Sequence, residues 1–568
     1  VTFVAGVDIG NATTEIVIVD AESLRPVAWD RARTRGMKGS TEAWRGAGRV
    51  LTRLQSRLGI PVDVAIGTHQ WPVLTRRLDL PTVPVATGRL KVVATGSSTP
   101  GGSGYAVGHP IDLASSVDAS VLAATGTSVI AVSRDPLGYL RTVDTLHRWL
   151  EAGIDVRGVL LAGDEASLVA RRLHRRLPIV DGVDVPIALA ADLVALEVAE
   201  PGRTCRELTD PLRLVATLGL GTDEHPHAGA IAAGLVGQRS AAVAILGGAV
   251  PNLGSPPTAA VELSDGSSHP LARAAAAIEA GPATVVGYLD DQGVITPVTD
   301  LWLVDPAALA AVPGLRQPGE LLNRVALSTM DRDTHQADDL HGVHSTWSGA
   351  VRLVGSEPLA ALRGALSTPG VNPDALVVDL GGGTIDLVHA HWPGWTGAGS
   401  GDLMTTATAI ATNSSRAAAE WVKRGPAWRI ETPHLAVDES GDRRFLDVPA
   451  AQGSVGWLVT GGPSRELPFS RHLTGGEWRS MRLALKEQVF GRNTKRGLRA
   501  HPGLVPSEVV LVGGPAGDDE IVEAMTAGLG RSGSGTSIGR ANVAGVLGHR
   551  WAVAYGLVLL DLDRGQGD

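Results

Sequence analysis

At 568 residues, with 44% apolar and 19% charged side chains, the chain is too long for one ordinary core, and two to four well-packed domains are expected. A net charge of −9 without a basic stripe argues against nucleic acid as the main partner, and the single cysteine, Cys205, excludes an internal disulfide and a thiol metal site. With no run of about 18 apolar residues and no charged-then-apolar leader, a soluble cytoplasmic protein without a membrane span or signal peptide is predicted.

Phe3–Asp8 and Glu15–Asp20 are apolar, β-branched runs separated by Ile9–Thr14, the pattern of a β-hairpin with a polar, glycine-containing turn. Val62–Ile66 and Val92–Val93 read as further short strands. From about Ala86 to Leu246, strands such as Val129–Val132 and Gly158–Leu161 alternate with helical stretches such as Glu165–Arg176, which predicts an inserted α/β domain. The basic cluster Arg171, Arg172, His174, Arg175 and Arg176 reads as a solvated helix face. Residues 247–370 are rich in Gly, Pro and Ala with weak periodicity and read as a linker plus a smaller insert domain. Order returns with the strand Ala375–Asp379, the turn Leu380–Thr384 and the strand Ile385–Ala390. Glu508–Val512 is a strand, Gly513–Gly517 a turn, and Asp518–Leu529 a helix with acids in its first turn. The expected domains are residues 1–85, 86–246, 247–374 and 375–568.

Two of these segments repeat each other. Asp8-Ile9-Gly10-Asn11-Ala12-Thr13-Thr14-Glu15 and Asp379-Leu380-Gly381-Gly382-Gly383-Thr384-Ile385-Asp386 both read acid, apolar, Gly, two small or polar residues, Thr, any residue, acid. Phosphate oxygens need several N–H donors converging on them, and a Gly-rich turn lets the backbone come that close. Thr13 and Thr384 add hydroxyls. A carboxylate facing a polyphosphate is repelled, so Asp8 and Asp379 make sense with a Mg²⁺ between them and the phosphates, held through water. A third segment, Val509–Ala516, leaves a strand on the paired glycines Gly513 and Gly514, which let a flat adenosine lie against the backbone. No Gly-x4-Gly-Lys-Ser/Thr loop is present, and Gly101–Gly108 lacks the helix of a dinucleotide fingerprint.

Asp164, just after one predicted strand, and Asp181, at the end of Leu177–Asp181, form a carboxylate pair that would suit a hard cation with a hydroxyl such as Thr99. Asp331, Asp333, His335, Asp338, Asp339, His341 and His344 resemble a metal site only by composition. Their histidine spacing fits no zinc pattern, and an exposed loop is expected there, as for His225-Pro226-His227 and His389-Ala390-His391.

With these residues in hand, the chain resembles the large (alpha) subunits of the diol dehydratase and glycerol dehydratase reactivating factors, actin-like ATPases that rescue cobalamin-dependent dehydratases. The likeness runs in order through Val4–Glu15, Gly36–Thr41, Ser98–Gly104, Leu177–Asp181, Leu196–Gly202, Leu366–Gly370, Gly397–Asp402 and Lys486–Phe490, and weakens between about Gly247 and Ala365. It implies an α/β, actin-like fold shared with sugar kinases and heat-shock chaperones: a duplicated ribonuclease-H-like core with an inserted α/β swivelling domain and a smaller insert. It further implies that Asn11, Ala12 and Thr13 hold the phosphates of ATP or ADP beside Gly381, Gly382, Gly383 and Thr384. Glu420 and Lys423 look like the family's nucleoside clamp, Gly513 and Gly514 back the nucleotide, and Arg550 is a late nucleotide contact. Thr99, Asp164 and Asp181 match positions that bind Mg²⁺ where a small (beta) subunit docks. Position 12 is Ala where family members carry Ser, which removes a hydroxyl and leaves the N–H.

On this reading Asp8, Asp379 and Asp386 are the catalytic acids, with Asp379 or Asp386 orienting water or the Mg²⁺ shell. The partners are a small subunit, in an assembly of two large and two small subunits, and a cobalamin-dependent diol or glycerol dehydratase. Two rivals share the fold. A polyol or sugar kinase would turn over ATP only with an acceptor, and an actin-like filament or scaffold would pellet with ATP.

Overall fold

The computed structural model describes residues 2–79, 89–95, 100–115, 119–134, 138–200, 203–235, 238–247, 259–280, 284–289, 294–304, 309, 312, 324–331, 340–501, 503–529 and 535–565. The chain divides into two compact units: Val1–Asp79 with Pro257–Leu315 and Arg324–Asp568, and Leu80–Pro256 with Arg316–Asn323.

The first unit contains two five-stranded sheets of identical topology. In one, the order is Pro26–Arg33, Thr13–Asp20, Phe3–Ile9, Val64–Gly67 and Ala350–Leu353. In the other it is Trp392–Ala398, Thr384–His389, Leu376–Leu380, Glu508–Val512 and Ser537–Arg540. In each sheet the first three strands are antiparallel and the last two run parallel to the third. The hairpins match in register as well: Asp8 lies opposite Glu15, and Asp379 opposite Asp386. The repeat legible in two glycine turns is therefore a duplication of whole sheets. The central strands are β-branched and apolar because both of their faces are covered; every residue of Leu376–Leu380 is buried.

What covers them is a pair of helices, Glu357–Ala365 and Ala552–Gly565, packed against each other. One apolar core joins Val4, Val17 and Val19 of the first sheet, Val377, Val388 and Val510 of the second, and Ala360, Ala361, Ala554 and Val558 of the helices. The approach is close because glycines line it. A Cβ on Gly364 would collide with the carbonyl oxygen of Ala552, one on Gly556 with that of Ala360, and one on Gly6 with that of Ala554. On the other face of the first sheet lies Thr41–Leu58, capped by Ser40 and anchored by the buried Trp44, Leu51 and Leu54.

The 247–374 region differs from the expected linker and separate insert. Ala260–Leu263, Ser268–Pro270, Val285–Leu289, Ile295–Leu303 and Arg324–Asp331 join Leu74–Asp79 in one six-stranded antiparallel sheet, while Ala350–Leu353 and Glu357–Ala365 belong to the duplicated core. Trp302 shows why this region is held there. Its indole N–H donates to Gln488 O (3.1 Å), and Arg496 stacks on both Trp302 and Trp395 while forking onto Asp300 at 2.7 Å. A further small sheet is built from Trp428–Thr432, Leu435–Val437, Arg443–Phe445, Leu458–Gly461 and Glu466–Ser470.

The second unit carries the α/β pattern read from the sequence. Its seven-stranded sheet runs Ile179–Val180, Val156–Leu161, Val129–Ser133, Gly104–Asp112, Ala191–Val198, Ser240–Leu246 and Leu90–Thr95. The first four strands are parallel, the others antiparallel. The helix expected over Glu165–Arg176 covers only Ala166–Ala170, and turns and bends follow it before the strand at Ile179. The arginines after it are exposed, with Arg172 lying 4.8 Å over the Tyr139 ring. Among the described residues no helix is long and apolar enough to cross a membrane.

The helix crossing makes a direct prediction. Gly556→Ala should destabilise the protein by more than about 3 kcal/mol, since a backbone carbonyl cannot yield as a side chain can. Gly46→Ala, in a helix with nothing within 4 Å of the new methyl, should be neutral or gain up to about 1 kcal/mol. Denaturant unfolding of the two variants reads both effects.

Candidate active site

The two hairpin turns meet. A Cβ on Gly382 would lie 3.0 Å from Ala12 N, and one on Gly383 would lie 2.8 Å from the Asn11 side-chain amide. Glycine is needed at both positions for the loops to approach. Each turn closes in the same way, Gly10 N donating to Thr13 O (2.9 Å) and Gly381 N to Thr384 O (3.0 Å). Each threonine hydroxyl donates to the acid two residues on, Thr13 to Glu15 (3.2 Å) and Thr384 to Asp386 (3.0 Å). Asn11 Nδ2 donates to Val73 O (2.7 Å), so its side chain fixes the first loop. The second loop is tied to the start of the helix Gly401–Thr412. Asp402 N donates to Gly382 O (2.7 Å), Gly399 N to Gly383 O (2.8 Å) and Ser400 Oγ to Gly381 O (2.8 Å).

Between the loops lies a cavity of about 790 Å³, the size of a nucleotide site, lined by Asp8, Asn11–Thr13, Asp379 and Gly381–Thr384 at one end and by Glu420, Lys423, Phe490, Gly513, Gly514 and Ile521 at the other. At the second end, Lys423 Nζ contacts Glu420 (2.8 Å), Thr405 Oγ1 (2.7 Å) and Gly401 O (3.0 Å), and Arg424 holds the other Glu420 oxygen at 2.6 Å. Burial pushes the Glu420 carboxyl up, but these partners outweigh it and bring it down to about 2. Gly513 has φ +87°, and a Cβ there would strike Asp379 Oδ1 at 2.5 Å, so this glycine backs directly onto the Asp379 carboxylate. Arg550 joins the two halves, donating to Glu15 Oε1 (3.0 Å) and lying 3.4 Å from Gly514 O.

Asp386 behaves differently from Asp8 and Asp379. It is buried, it is not among the cavity-lining residues, and its oxygens accept from Thr384 and Thr396. It supports the site from behind.

Three cavity-lining residues in particular escaped the sequence reading. Lys38 and Glu357, both lining the cavity, form an ion pair at 2.5 Å although 319 positions separate them. Lys38 could have been found, since it stands in a short turn between Gly36 (φ +72°) and Gly39 (φ +84°). Glu357 left no local signal. Lys486 also went unread: 1% exposed and facing the cavity, it is held by Asp518 and Glu520 at 2.6 Å each.

The end of the cavity where the hairpins meet is electrostatically strained. Burial, together with Glu357, Glu15 and Asp379, holds the Asp8 carboxyl well above the ordinary range, with Lys38 opposing. Burial, Asp386, Glu357 and Glu15 do the same to Asp379, and burial and Glu357 push Asp386 up to about 6. Glu15 is raised by burial despite Arg550. Five carboxylates thus lie within one another's fields against Lys38, Arg31 and Arg550, an excess of negative charge that a divalent cation would relieve. Among the described residues no three His, Cys, Asp or Glu side chains converge closely enough to hold a metal by themselves. A cation here would rest on water and phosphate oxygens, with Asp8 and Asp379 as outer partners.

In the second unit, Asp164 and Asp181 follow the neighbouring parallel strands Val156–Leu161 and Ile179–Val180, so both leave the same sheet edge. Asp181 is buried and accepts from Ala166 N (3.3 Å), whereas Asp164 is exposed. Gly101 bridges to Ile179, but Thr99 lies outside the described residues, as do Asp333, His335, Asp338 and Asp339. His389 and His391 are fastened to Asp374, in keeping with an ordinary surface turn.

Comparison with known proteins agrees with this geometry. A family model described as "Diol dehydratase reactivase ATPase-like domain" matches residues 293–561, and the "DD-reactivating factor swiveling domain" matches 91–247. The chain is 27% identical over 613 residues to the propanediol dehydratase-reactivating factor large subunit of Salmonella typhimurium, covering 98% of each chain. It is 26% identical over 630 residues to the diol dehydratase-reactivating factor large subunit of Klebsiella michiganensis, again covering 98% of each. Among solved structures it is similar to a glycerol dehydratase reactivase (TM-score 0.55, 25% identity, all of both chains). A diol dehydratase-reactivating factor in nucleotide-free form shares the fold, with a TM-score of 0.57, 24% identity, and coverage of 99% of this chain and 100% of that one. With two domain models matched in chain order and relatives aligned nearly end to end on a duplicated actin-like core, the chain belongs to the diol dehydratase reactivase family.

Proposed function

We propose that this chain is the large subunit of an ATP-dependent reactivating factor that frees damaged cobalamin from an inactivated diol or glycerol dehydratase, hydrolysing ATP to ADP as it does so. The observation that carries the proposal is the meeting of two matched glycine hairpins, each headed by an acid, across one cavity. Backbone groups of Asn11–Thr13 and Gly381–Thr384 bind the phosphates. Glu420 and Lys423 clamp the nucleoside, Gly513 and Gly514 form its floor, and Arg550 ties the floor to the first hairpin. Asp8 and Asp379 orient water toward the terminal phosphate, and Asp386 keeps the second turn in place. Mg²⁺, where bound, screens the phosphate charge that these acids would otherwise repel.

The partner-facing element is the unit of residues 80–256. Asp164 and Asp181, with Thr99, bind a second Mg²⁺ at a small subunit's docking site, in an assembly of two large and two small subunits in the cytoplasm. The ADP-bound factor exchanges its small subunit for a subunit of the stalled dehydratase, the spent cobalamin escapes, and ATP resets the factor.

Three outcomes test this. Dehydratase stalled by glycerol should regain activity when this chain, its small subunit, ATP, Mg²⁺ and fresh coenzyme are added together. Omitting ATP should abolish recovery, and recovery that ignores ATP would sink the proposal. Asp8→Asn and Asp379→Asn should each cut ATP turnover by more than about 100-fold while the protein stays folded, as followed by phosphate release and thermal melting.

The third concerns pH. Asp8, Asp379 and Asp386 bind protons more tightly folded than unfolded. Their contribution to stability is therefore greatest below the ordinary carboxylate pKa and declines as pH rises through the folded values, about 6 for Asp386. A cation offsets the ionised form only. The rise in Tm on adding Mg²⁺ and ADP should therefore be larger at about pH 8 than at about pH 5.

A further inference from the structure

We propose that Arg31 and Arg33 are phosphate-binding residues of the nucleotide cavity, their guanidinium groups donating to phosphate oxygens that ADP and ATP share. This rests on the nucleotide-binding reading above and adds side-chain cations to the backbone groups named there.

Eight lysine and arginine side chains line the cavity, and six of them are held by carboxylates. Arg31 and Arg33 are the other two. Both are exposed, and among the described residues neither guanidinium takes part in a hydrogen bond or an ion pair. Their placement follows from the sheet register. Arg33 lies opposite Thr13 and Arg31 opposite Glu15, and directly opposed residues share a face of the sheet. Val27 and Trp29 continue that face away from the cavity, so the strand changes from apolar to cationic where it reaches the first hairpin. The second half has the same topology and shows that the fold needs no charge here: Ala398 lies opposite Thr384, and Thr396 opposite Asp386.

The strand is held firmly at its cavity end. Thr34 N donates to Ala12 O (3.0 Å), the Thr34 hydroxyl donates to Gly10 O (2.8 Å), and it meets the Thr14 hydroxyl at 3.0 Å. The backbone beneath the two arginines is thereby fastened to the first hairpin turn, the one that carries Asn11, Ala12 and Thr13. A guanidinium presents a planar fork of N–H donors that matches two phosphate oxygens, and it stays charged at any working pH. It also answers a difficulty of this cavity. A polyphosphate entering beside Asp8, Glu15 and Asp379 meets charge of its own sign, of which a divalent cation offsets only part. Arg31 already acts on Glu15, whose carboxyl is raised by burial while Arg550, Thr13 and Arg31 oppose the rise. Arg33, one step nearer the turn and opposite Thr13, has no such acid across from it and is the freer of the two to take a phosphate.

The test titrates the full-length wild type, Arg33→Ala, Arg33→Lys, the double variant Arg31→Ala with Arg33→Ala, and Arg35→Ala. The ligands are ADP, a non-hydrolysable ATP analogue and adenosine, each with Mg²⁺. Arg35 is exposed and is not on the cavity wall, so Arg35→Ala changes the net charge as much as Arg33→Ala does. Arg33→Ala is expected to weaken ADP and the analogue by about tenfold each, with adenosine changed by less than about threefold. The double variant should lose about 30-fold or more for both nucleotides, and Arg33→Lys, which keeps the charge without the fork, should lose less than Arg33→Ala. Added salt should weaken ADP less steeply in the double variant than in the wild type. Nucleotide affinities of the double variant within about threefold of wild type would overturn the inference. So would a loss for adenosine equal to that for ADP, or an effect of Arg35→Ala equal to that of Arg33→Ala. A wild type that binds neither ADP nor the analogue would instead overturn the nucleotide reading, and this inference with it.

Discussion

Two helices that touch backbone to backbone set the geometry on which the site depends. Glu357–Ala365 and Ala552–Gly565 lie in a single apolar core with strands of both duplicated sheets, and they approach closely because Gly364 and Gly556 carry no side chain. Gly6 extends the same contact to the first strand of the first sheet. The two hairpin turns are then held at the ends of strands whose relative placement the helices determine. Glu357 opens one helix and Arg550 stands just before the other, so the elements that join the halves also deliver side chains to the cavity. Packing and chemistry are coupled here by position in the chain.

That rigidity makes the acid cluster tolerable. Asp379, Asp386 and Glu15 are buried, and Asp8 faces the cavity, all within reach of one another's fields. Such a group would relax apart on a mobile loop. Here the ladder pairs Asp8 with Glu15 and Asp379 with Asp386, and threonine hydroxyls hold the outer members, so the repulsion persists until a ligand of opposite charge relieves it. The same reasoning separates the roles of the acids: Asp386 spends its oxygens on Thr384 and Thr396, whereas Asp8 and Asp379 face the cavity.

The two matched hairpin turns were legible in the sequence because their pattern is local. Glycine, hydroxyl and acid at fixed offsets mean the same thing wherever the turn is placed, and the repeat of the pattern carried over into whole sheets. The inserted α/β unit was legible from alternation alone, although the helix after Asp164 is shorter than expected and ends at Ala170. The 247–374 region misled for the opposite reason. Its strands acquire meaning only by pairing with Leu74–Asp79 and by lodging Trp302 under Arg496, contacts that span some 200 residues and leave no periodic trace. Glu357 is the sharpest case: a single acid after a serine, indistinguishable from any helix start until Lys38 is brought to it.

The two ends of the cavity are anchored to different parts of the molecule, and this bears on how one ligand can have two structural effects. At the hairpin end, Glu357 and Arg550 connect to the helix pair that unites the halves. At the other end, the long helical segment from Gly475 to Arg499 turns into a π-helix over Glu487–Arg492, where Phe490 and the adjoining Lys486 reach the cavity wall. From Lys486 a buried ionic network passes through Glu520 to Arg482 and on to Glu439, beside the small sheet of residues 428–470. With Arg482 and Lys486 both 1% exposed, breaking any one of these pairs leaves a buried charge without its partner, so the network is costly to take apart and forms one block. On the function proposed above, a nucleoside would engage that block whether or not a third phosphate is attached, whereas the γ-phosphate would be felt only at the helix-pair end. The difference between ATP and ADP would then be read at the contact between the halves, with affinity set at the far end. A site divided in this way can remain occupied while its closure changes.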